Sequence, residues 1–239
     1  MAKIINFTID DKKCTHEEGA YLVDAARENN VFIPTLCNLK EILPKGSCRM
    51  CSVTVNGKLM TACTTKIFDG MEVYSDNSNL KDLRKSIVEM LFVEGNHFCP
   101  TCDKSGNCEL QALGYLYQMD VPRYPYQFPR RSIDSSHPKI LKDHNRCILC
   151  KRCIRGIKDE NGKSIFTFLN RGHKTKIYID PDLAQNLTDE LAEKAVEICP
   201  VGAIMQKGKG FEVPIGKRKY DHNPIGTDVE KQLETEGSL

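Results

Sequence analysis

Eleven of the twelve cysteines in this 239-residue chain fall into three groups, and that grouping constrains the fold more than any other feature. The first group is Cys37, Cys48, Cys51 and Cys63. The second is Cys99, Cys102 and Cys108, with His97 just upstream. The third is Cys147, Cys150 and Cys153, completed by Cys199 in the run Cys199-Pro200-Val201-Gly202. Only Cys14 is left over, on a predicted strand, where a small buried side chain is expected. Each group has the thiolate spacing of an iron–sulfur site. Three such sites without a visible substrate pocket point to a conductor of electrons.

Composition narrows the setting. Hydrophobic residues make up 40% of the chain and tryptophan is absent, so three small modules would have thin cores. Metal clusters supply folding free energy that such cores lack. The net charge of +2 gives no general attraction to nucleic acid or to an anionic membrane. The N-terminal run Met1–Phe7 lacks the apolar region of a signal peptide, and no apolar stretch approaches the roughly 20 residues that span a bilayer. Many cysteines without a secretion signal predict metal ligands in a reducing cytoplasm rather than disulfides.

The pattern along the chain predicts an α+β protein in three modules. Residues 1–76 read as a β-grasp ferredoxin domain: strands at 3–9 and 13–16, a helix carrying Tyr21, Leu22, Ala25 and Ala26, a hairpin around Asn56-Gly57, and a last strand at Met71–Ser75. Residues 77–139 read as a small helical module. It has a helix with the apolar stripe Leu80, Leu83, Ile87, Met90 and Leu91, then the second cysteine group, then a helix from Glu109 to Met119. A linker rich in proline and aromatic residues follows. Residues 140–208 read as a bacterial-ferredoxin-like module, with a hairpin (Ser164–Phe168, Lys176–Ile179) and a helix from Thr188 to Ile198 capped by Thr188. Residues 209–239 read as an extended tail.

The spacing of the first group, Cys-x10-Cys-x2-Cys-x11-Cys, suits a [2Fe–2S] cluster held by four thiolates. Gly46 lets the backbone pass close to the sulfurs. Structural zinc on four cysteines is the alternative, although zinc ribbons usually show two Cys-x2-Cys knuckles and this segment has one. The second group offers three thiolates and, in His97, an imidazole. A [4Fe–4S] cluster and a Cys3His zinc site are both open on residue types alone. The third group has the Cys-x2-Cys-x2-Cys run of a [4Fe–4S] cluster, with the remote Cys199-Pro200 as fourth ligand. Ile157 stands where a two-cluster ferredoxin carries its next cysteine, so a single cubane is expected.

Other signals lead nowhere. Gly162-Lys163-Ser164 resembles the end of a phosphate-binding loop, but that motif requires glycine at position 157. His16, His137, His144, His173 and His222 are scattered, and structural or surface roles are expected for them. Lys217-Arg218-Lys219 is a short basic run in the tail.

At the quoted residues the chain resembles the N-terminal part of the large iron–sulfur subunit of respiratory complex I. It resembles still more the diaphorase iron–sulfur (gamma) subunit of NAD-reducing [NiFe] hydrogenase. The resemblance rests on Gly95-Asn96-His97-Phe98-Cys99-Pro100 with Cys102-Asp103-Lys104-Ser105-Gly106, on Arg146-Cys147-Ile148-Leu149-Cys150-Lys151-Arg152-Cys153, on Ile198-Cys199-Pro200-Val201-Gly202, and on Pro214-Ile215-Gly216-Lys217-Arg218-Lys219-Tyr220. It spans nearly the whole chain, and an end near residue 239 fits the short form.

The resemblance implies a relay subunit with one [2Fe–2S] and two [4Fe–4S] clusters. Its partners would be a diaphorase subunit holding FMN and NAD, and the small and large subunits of a [NiFe] hydrogenase. The chain itself would not be the catalyst. Electrons would pass through the β-grasp domain on the flavin side and through the module from Lys142 onward on the hydrogenase side. An NAD-dependent formate dehydrogenase, a bifurcating hydrogenase or complex I could use the same module, and a zinc-stabilised interaction protein is the rival of another class. One spacing departs from complex I, where the histidine ligand stands four residues before the first cysteine. Here His97 stands two before Cys99, and Gly95 occupies the position four before.

Overall fold

The computed structural model describes residues 3–230. The chain begins with a hairpin of β1 (Ile4–Ile9) and β2 (Lys12–Glu17). Asp10 and Asp11 both have positive φ at its turn, 48° and 66°, the twist a two-residue hairpin requires. Alternation along β1 buries Ile5, Phe7 and Ile9. Helix α1 (Leu22–Glu28) covers that face with Leu22, Val23, Ala25 and Ala26. Next come β3 (Ser52–Val55), β4 (Lys58–Thr61) and β5 (Met71–Tyr74), with Asn56-Gly57 at the turn between β3 and β4. The strand order is β2-β1-β5-β3-β4. The central pair β1–β5 is parallel and the other pairings are antiparallel. That mixed sheet with one crossing helix is the expected β-grasp arrangement. Cys14 is buried in its core, as a small apolar residue would be.

Helix α2 (Ser78–Glu94) starts on an Asn77 cap whose side chain accepts from the Leu80 N–H at 2.9 Å. Its inner face differs from the predicted stripe. Leu80, Ile87, Val88 and Val93 are buried together with Arg84 and Glu89, whereas Met90 is 43% exposed. Arg84 reaches across to donate to the carbonyls of Met50 (3.2 Å) and Ser52 (2.8 Å). Glu89 is clamped by the Arg123 guanidinium at 2.8 and 3.1 Å. A buried charge is tolerated when it is paired or hydrogen-bonded, and these partners rotate the helix away from a purely apolar face.

Helix α3 (Glu109–Leu116) follows the second cysteine group and stops short of the predicted Met119, and Gln118 just beyond it turns the chain at φ 50°. The aromatic linker leads to β6 (Ile133–Asp134), which joins β7 (Ile140–Asp143) and β10 (Ile204–Gln206) in a sheet of order β10-β7-β6. Between β7 and β10 lie α4 (Arg152–Gly156), the antiparallel hairpin of β8 (Phe166–Leu169) and β9 (Lys176–Ile179), and α5 (Asp189–Ile198). Thr188 caps α5 as expected, accepting from the Leu191 N–H at 3.2 Å.

Two hydrophobic cores result. One lies within the β-grasp domain. The other runs through α2, α3 and the ferredoxin-like module, and includes Leu36 and Met50 from the first cysteine loop. That loop is therefore wedged between the two cores. Residues 207–226 form turns and bends. They lie back along the second cysteine loop, where Tyr220 N–H donates to the Gly106 carbonyl and Lys219 N–H to Asn107 Oδ1, both at 2.8 Å.

Candidate iron–sulfur sites

The first loop brings its four cysteines together. Cys37, Cys51 and Cys63 are buried and Cys48 is partly so. The thiols form a connected chain in which Cys37 contacts Cys48 and Cys63, and Cys63 contacts Cys51. Hydrogen bonds from neighbouring thiols pull Cys37 and Cys51 well below and below the ordinary thiol range, respectively. The same contacts push Cys48 and Cys63 far above it. The shared thiol hydrogen bonds act first, and burial and repulsion between thiolates follow. Two thiolates about 4 Å apart at an effective dielectric of about 20 repel by about 4 kcal/mol, or about three pKa units. Four can ionise together only beside a compensating cation, so this donor set fits metal. Backbone groups of Leu36, Met50 and Cys48 also point at the sulfurs. Gly46 turns the chain at φ 59°, and a Cβ there would crowd Thr64 Cγ2 at 3.2 Å and Thr61 Oγ1 at 3.3 Å.

In the second site, His97, Cys99, Cys102 and Cys108 line one small cavity, closed by Phe92, Arg146 and Gly202. The His97 ring lies 5.3 Å from the Phe92 ring. Burial holds its imidazole neutral, with the pKa pulled down to about 4, and the Leu91 backbone opposes that shift. Nε2 is buried without a partner. A neutral imidazole with a buried, unpaired nitrogen suits a metal ligand. The departure in spacing also finds an explanation. A Cβ on Gly95 would sit 2.3 Å from His97 Nε2, so the ring occupies the space that a side chain at position 95 would take. Gly202 is similarly constrained, because its Cβ would lie 2.3 Å from Cys102 Sγ. Burial pushes the Cys108 thiol up to about 12. If His97 is a ligand, His97→Cys keeps a cluster but makes it more negative, and its midpoint potential falls. A redox titration checks this, and an unchanged spectrum and potential in His97→Ala would remove His97 from the site.

The third loop coils through Leu149 (φ 52°) and Lys151 (φ 65°) into α4. Cys147, Cys150, Cys153 and Cys199 lie within electrostatic reach of one another. Burial pushes Cys150 up to about 12 and Cys153 well above its ordinary value. Lys142 on β7 is 1% exposed. Its burial disfavours the ammonium, but Cys147, Cys199 and Cys153, with a hydrogen bond to Cys147, raise its pKa overall. A buried cation facing four thiols complements a negatively charged cluster.

The order of the sites in space differs from their order in sequence. Arg155 on α4 donates to the Cys37 carbonyl at 2.6 Å, the Leu43 carbonyl at 2.5 Å and the Cys150 carbonyl at 3.4 Å, tying the first loop to the third. Cys48 and Cys150 line the same surface groove. Gly202, three residues after Cys199, packs on Cys102 of the second site. Lys104 donates to the Val196 carbonyl at 2.8 Å. The links thus run from first to third and from third to second. Sequence reasoning gave no positioning role to Gly95, Lys142, Arg152, Arg155 or Gly202. Only the two arginines carried a signal, as cations within or next to the third cysteine run. Among the described residues, no three His, Cys, Asp or Glu side chains converge to hold a single metal ion. In a [4Fe–4S] cluster each protein ligand binds a different iron, and in a [2Fe–2S] cluster each iron takes two of the four.

Three family models match the chain in succession. A 2Fe-2S iron-sulfur cluster binding domain matches residues 2–78, an NADH-ubiquinone oxidoreductase-G iron-sulfur binding region residues 84–123, and a ferredoxin-like domain of NADH-quinone oxidoreductase subunit 3 residues 137–205. The NAD-reducing hydrogenase HoxS subunit gamma of Cupriavidus necator is 49% identical over 91% of this chain and 93% of its own length. The chain belongs to the gamma-subunit family of NAD-reducing hydrogenases. A crystal structure of an NAD+-reducing [NiFe]-hydrogenase in the H2-reduced state contains a chain of the same fold, with TM-score 0.87 and 38% identity over 95% of this chain and 98% of that one. Relatives of the gamma-subunit family extend into larger proteins. The mitochondrial NADH-ubiquinone oxidoreductase 78 kDa subunit of Candida albicans is 32% identical, and the NADPH-Fe(3+) oxidoreductase subunit alpha of Geobacter sulfurreducens 35%. This chain spans 29% and 24% of their lengths. The matched domains bind 2Fe-2S and iron–sulfur clusters, and the gamma-subunit fold is the α+β arrangement read from the sequence.

Proposed function

We propose that this chain carries electrons between a diaphorase subunit holding FMN and NAD and the small and large subunits of a [NiFe] hydrogenase, in the reaction H2 + NAD+ = NADH + H+. Cys37, Cys48, Cys51 and Cys63 would hold a [2Fe–2S] cluster. His97, Cys99, Cys102 and Cys108 would hold one [4Fe–4S] cluster, and Cys147, Cys150, Cys153 and Cys199 the other. Such clusters, when bound, take up and release single electrons. The protein's residues supply the thiolates, one neutral imidazole, buried cations and backbone N–H groups that fix the ligands and offset their charge. The module divisions 1–76, 77–139, 140–208 and 209–239 belong to the same proposal. So does a cytoplasmic location, where thiols stay reduced. No helix of the described residues is long and apolar enough to cross a membrane.

The observation that carries the reading is the threading of the three sites. Arg155 joins the first loop to the third, and Gly202 brings the third against Cys102 of the second. The third module is then the middle of the relay, and the second site is the end that faces the hydrogenase. That revises the expectation that the module from Lys142 onward faces it.

A reconstitution tests the proposal. The anaerobically purified chain alone is expected to be reduced by dithionite and to oxidise no NADH. Adding the flavin subunit is expected to let NADH reduce its clusters. NADH oxidation by the chain alone, free of flavoprotein, would contradict the relay.

A further inference from the structure

One ion pair, buried on its Arg152 side and 22% exposed at Glu109, joins the second and third loops. Arg152 stands between Cys150 and Cys153 and opens α4; Glu109 follows Cys108 and opens α3. Their contact is bidentate, with Nη1 to Oε1 at 2.6 Å and Nη2 to Oε2 at 2.7 Å. Nη1 also donates to the carbonyl of Ile198, the residue before Cys199, at 3.3 Å. The Glu109 N–H donates to the carbonyl of Pro200, the residue after Cys199, at 2.9 Å. The pair therefore touches the immediate neighbours of ligand positions in both sites. Arg152 is 2% exposed. Its Nε–H is buried and has no partner among the described residues. The thiols that act on its charge are Cys150 and Cys199 of the third site.

We propose that the Arg152–Glu109 pair sets the difference in reduction potential between the two cubane sites, the guanidinium raising the third and the carboxylate lowering the second. The inference rests on the relay reading and assigns these two residues a role within it. A reduced cluster carries one more negative charge than an oxidised one. A nearby cation or N–H donor stabilises the reduced form, and a nearby anion destabilises it. Guanidinium stays charged at any working pH, so the effect is a fixed one. A clamp alone has no need of charge, because a buried ion pair can be replaced by apolar residues of similar volume without loss of stability. Arg152 places its cation on the third site, and its free Nε–H is available to a cluster sulfur there. Glu109 places its carboxylate one residue from Cys108. Lys142 adds a second cation at the third site and is untouched by the variants below.

The test is a redox titration, followed by electron paramagnetic resonance, of the full chain purified anaerobically with its clusters. Glu109→Gln keeps the shape of the side chain and removes its charge. The second-site midpoint is expected to rise by about a tenfold change in the reduction equilibrium, 59 mV for a one-electron couple. Arg152→Gln removes the cation together with the fork and the Nε–H, and the third-site midpoint is expected to fall by a similar amount. The [2Fe–2S] midpoint should not move in either variant. If Arg152→Gln fails to load its cluster, Glu109→Gln decides alone. Cubane midpoints unmoved in the loaded variants would overturn the inference and leave the relay reading intact. Absence of two cubane signals from the unmodified chain would sink the relay reading and the inference with it.

Discussion

Gly95→Ala is expected to empty the second site although position 95 supplies no ligand. The new Cβ would lie 2.3 Å from His97 Nε2 and 2.5 Å from Cδ2, with the Asn145 carbonyl 3.0 Å away. The ring has little room to retreat, because it is buried and packed against Phe92. Gly95 itself has φ −111° and ψ 167°, which alanine adopts without strain, so the effect is steric displacement of the imidazole. The expected outcome is a fall from about ten irons per chain to about six, with the other two spectra retained. Gly202→Ala should act on the same site through Cys102 Sγ, at 2.3 Å. A Gly95→Ala chain with full iron and unchanged spectra would show that His97 does not hold the position described.

The two glycines mark where sequence reading stops. The cysteines were legible because ligand spacing within a loop is a local property, and the β3–β4 hairpin was legible from Asn56-Gly57. Helix α2 was legible as a helix, but its buried face was not. Arg84 and Glu89 enter the core because the Met50 and Ser52 carbonyls and Arg123 receive them, and those partners lie more than 30 residues away. A periodicity that counts only apolar residues passes over them. The placing of the third site between the other two was equally hidden. It depends on a contact between Arg155 and the Cys37 carbonyl, 118 residues apart. The tail read only as extended, and its residues 218–220 bind the loop at 105–107 through backbone and side-chain hydrogen bonds.

Cys150→Ser is expected to separate the ends of the relay. Cys150 lies in the middle site, beside Cys48 in a shared groove and bonded through its carbonyl to Arg155. Removing its thiolate should damage the third cluster and leave the first and second spectra in place. With the flavin subunit and NADH, the [2Fe–2S] signal should still appear within the mixing time, while the second-site cubane stays oxidised. Electron transfer onward to the hydrogenase should drop to background. Equal rates of second-site reduction in the variant and the unmodified chain would contradict the order first, third, second. The corresponding Cys48→Ser change should block both cubanes from NADH while dithionite still reduces them.

The central claim is that three iron–sulfur clusters are held by the twelve named side chains. Joint measurement of iron, inorganic sulfide and zinc in the anaerobically purified full chain tests it most directly. The expected result is about ten irons, sulfide equal to iron, little zinc, and three reducible signals after dithionite. Stoichiometric zinc with little sulfide would contradict it, and would turn the same buried thiols into structural metal sites without a redox role.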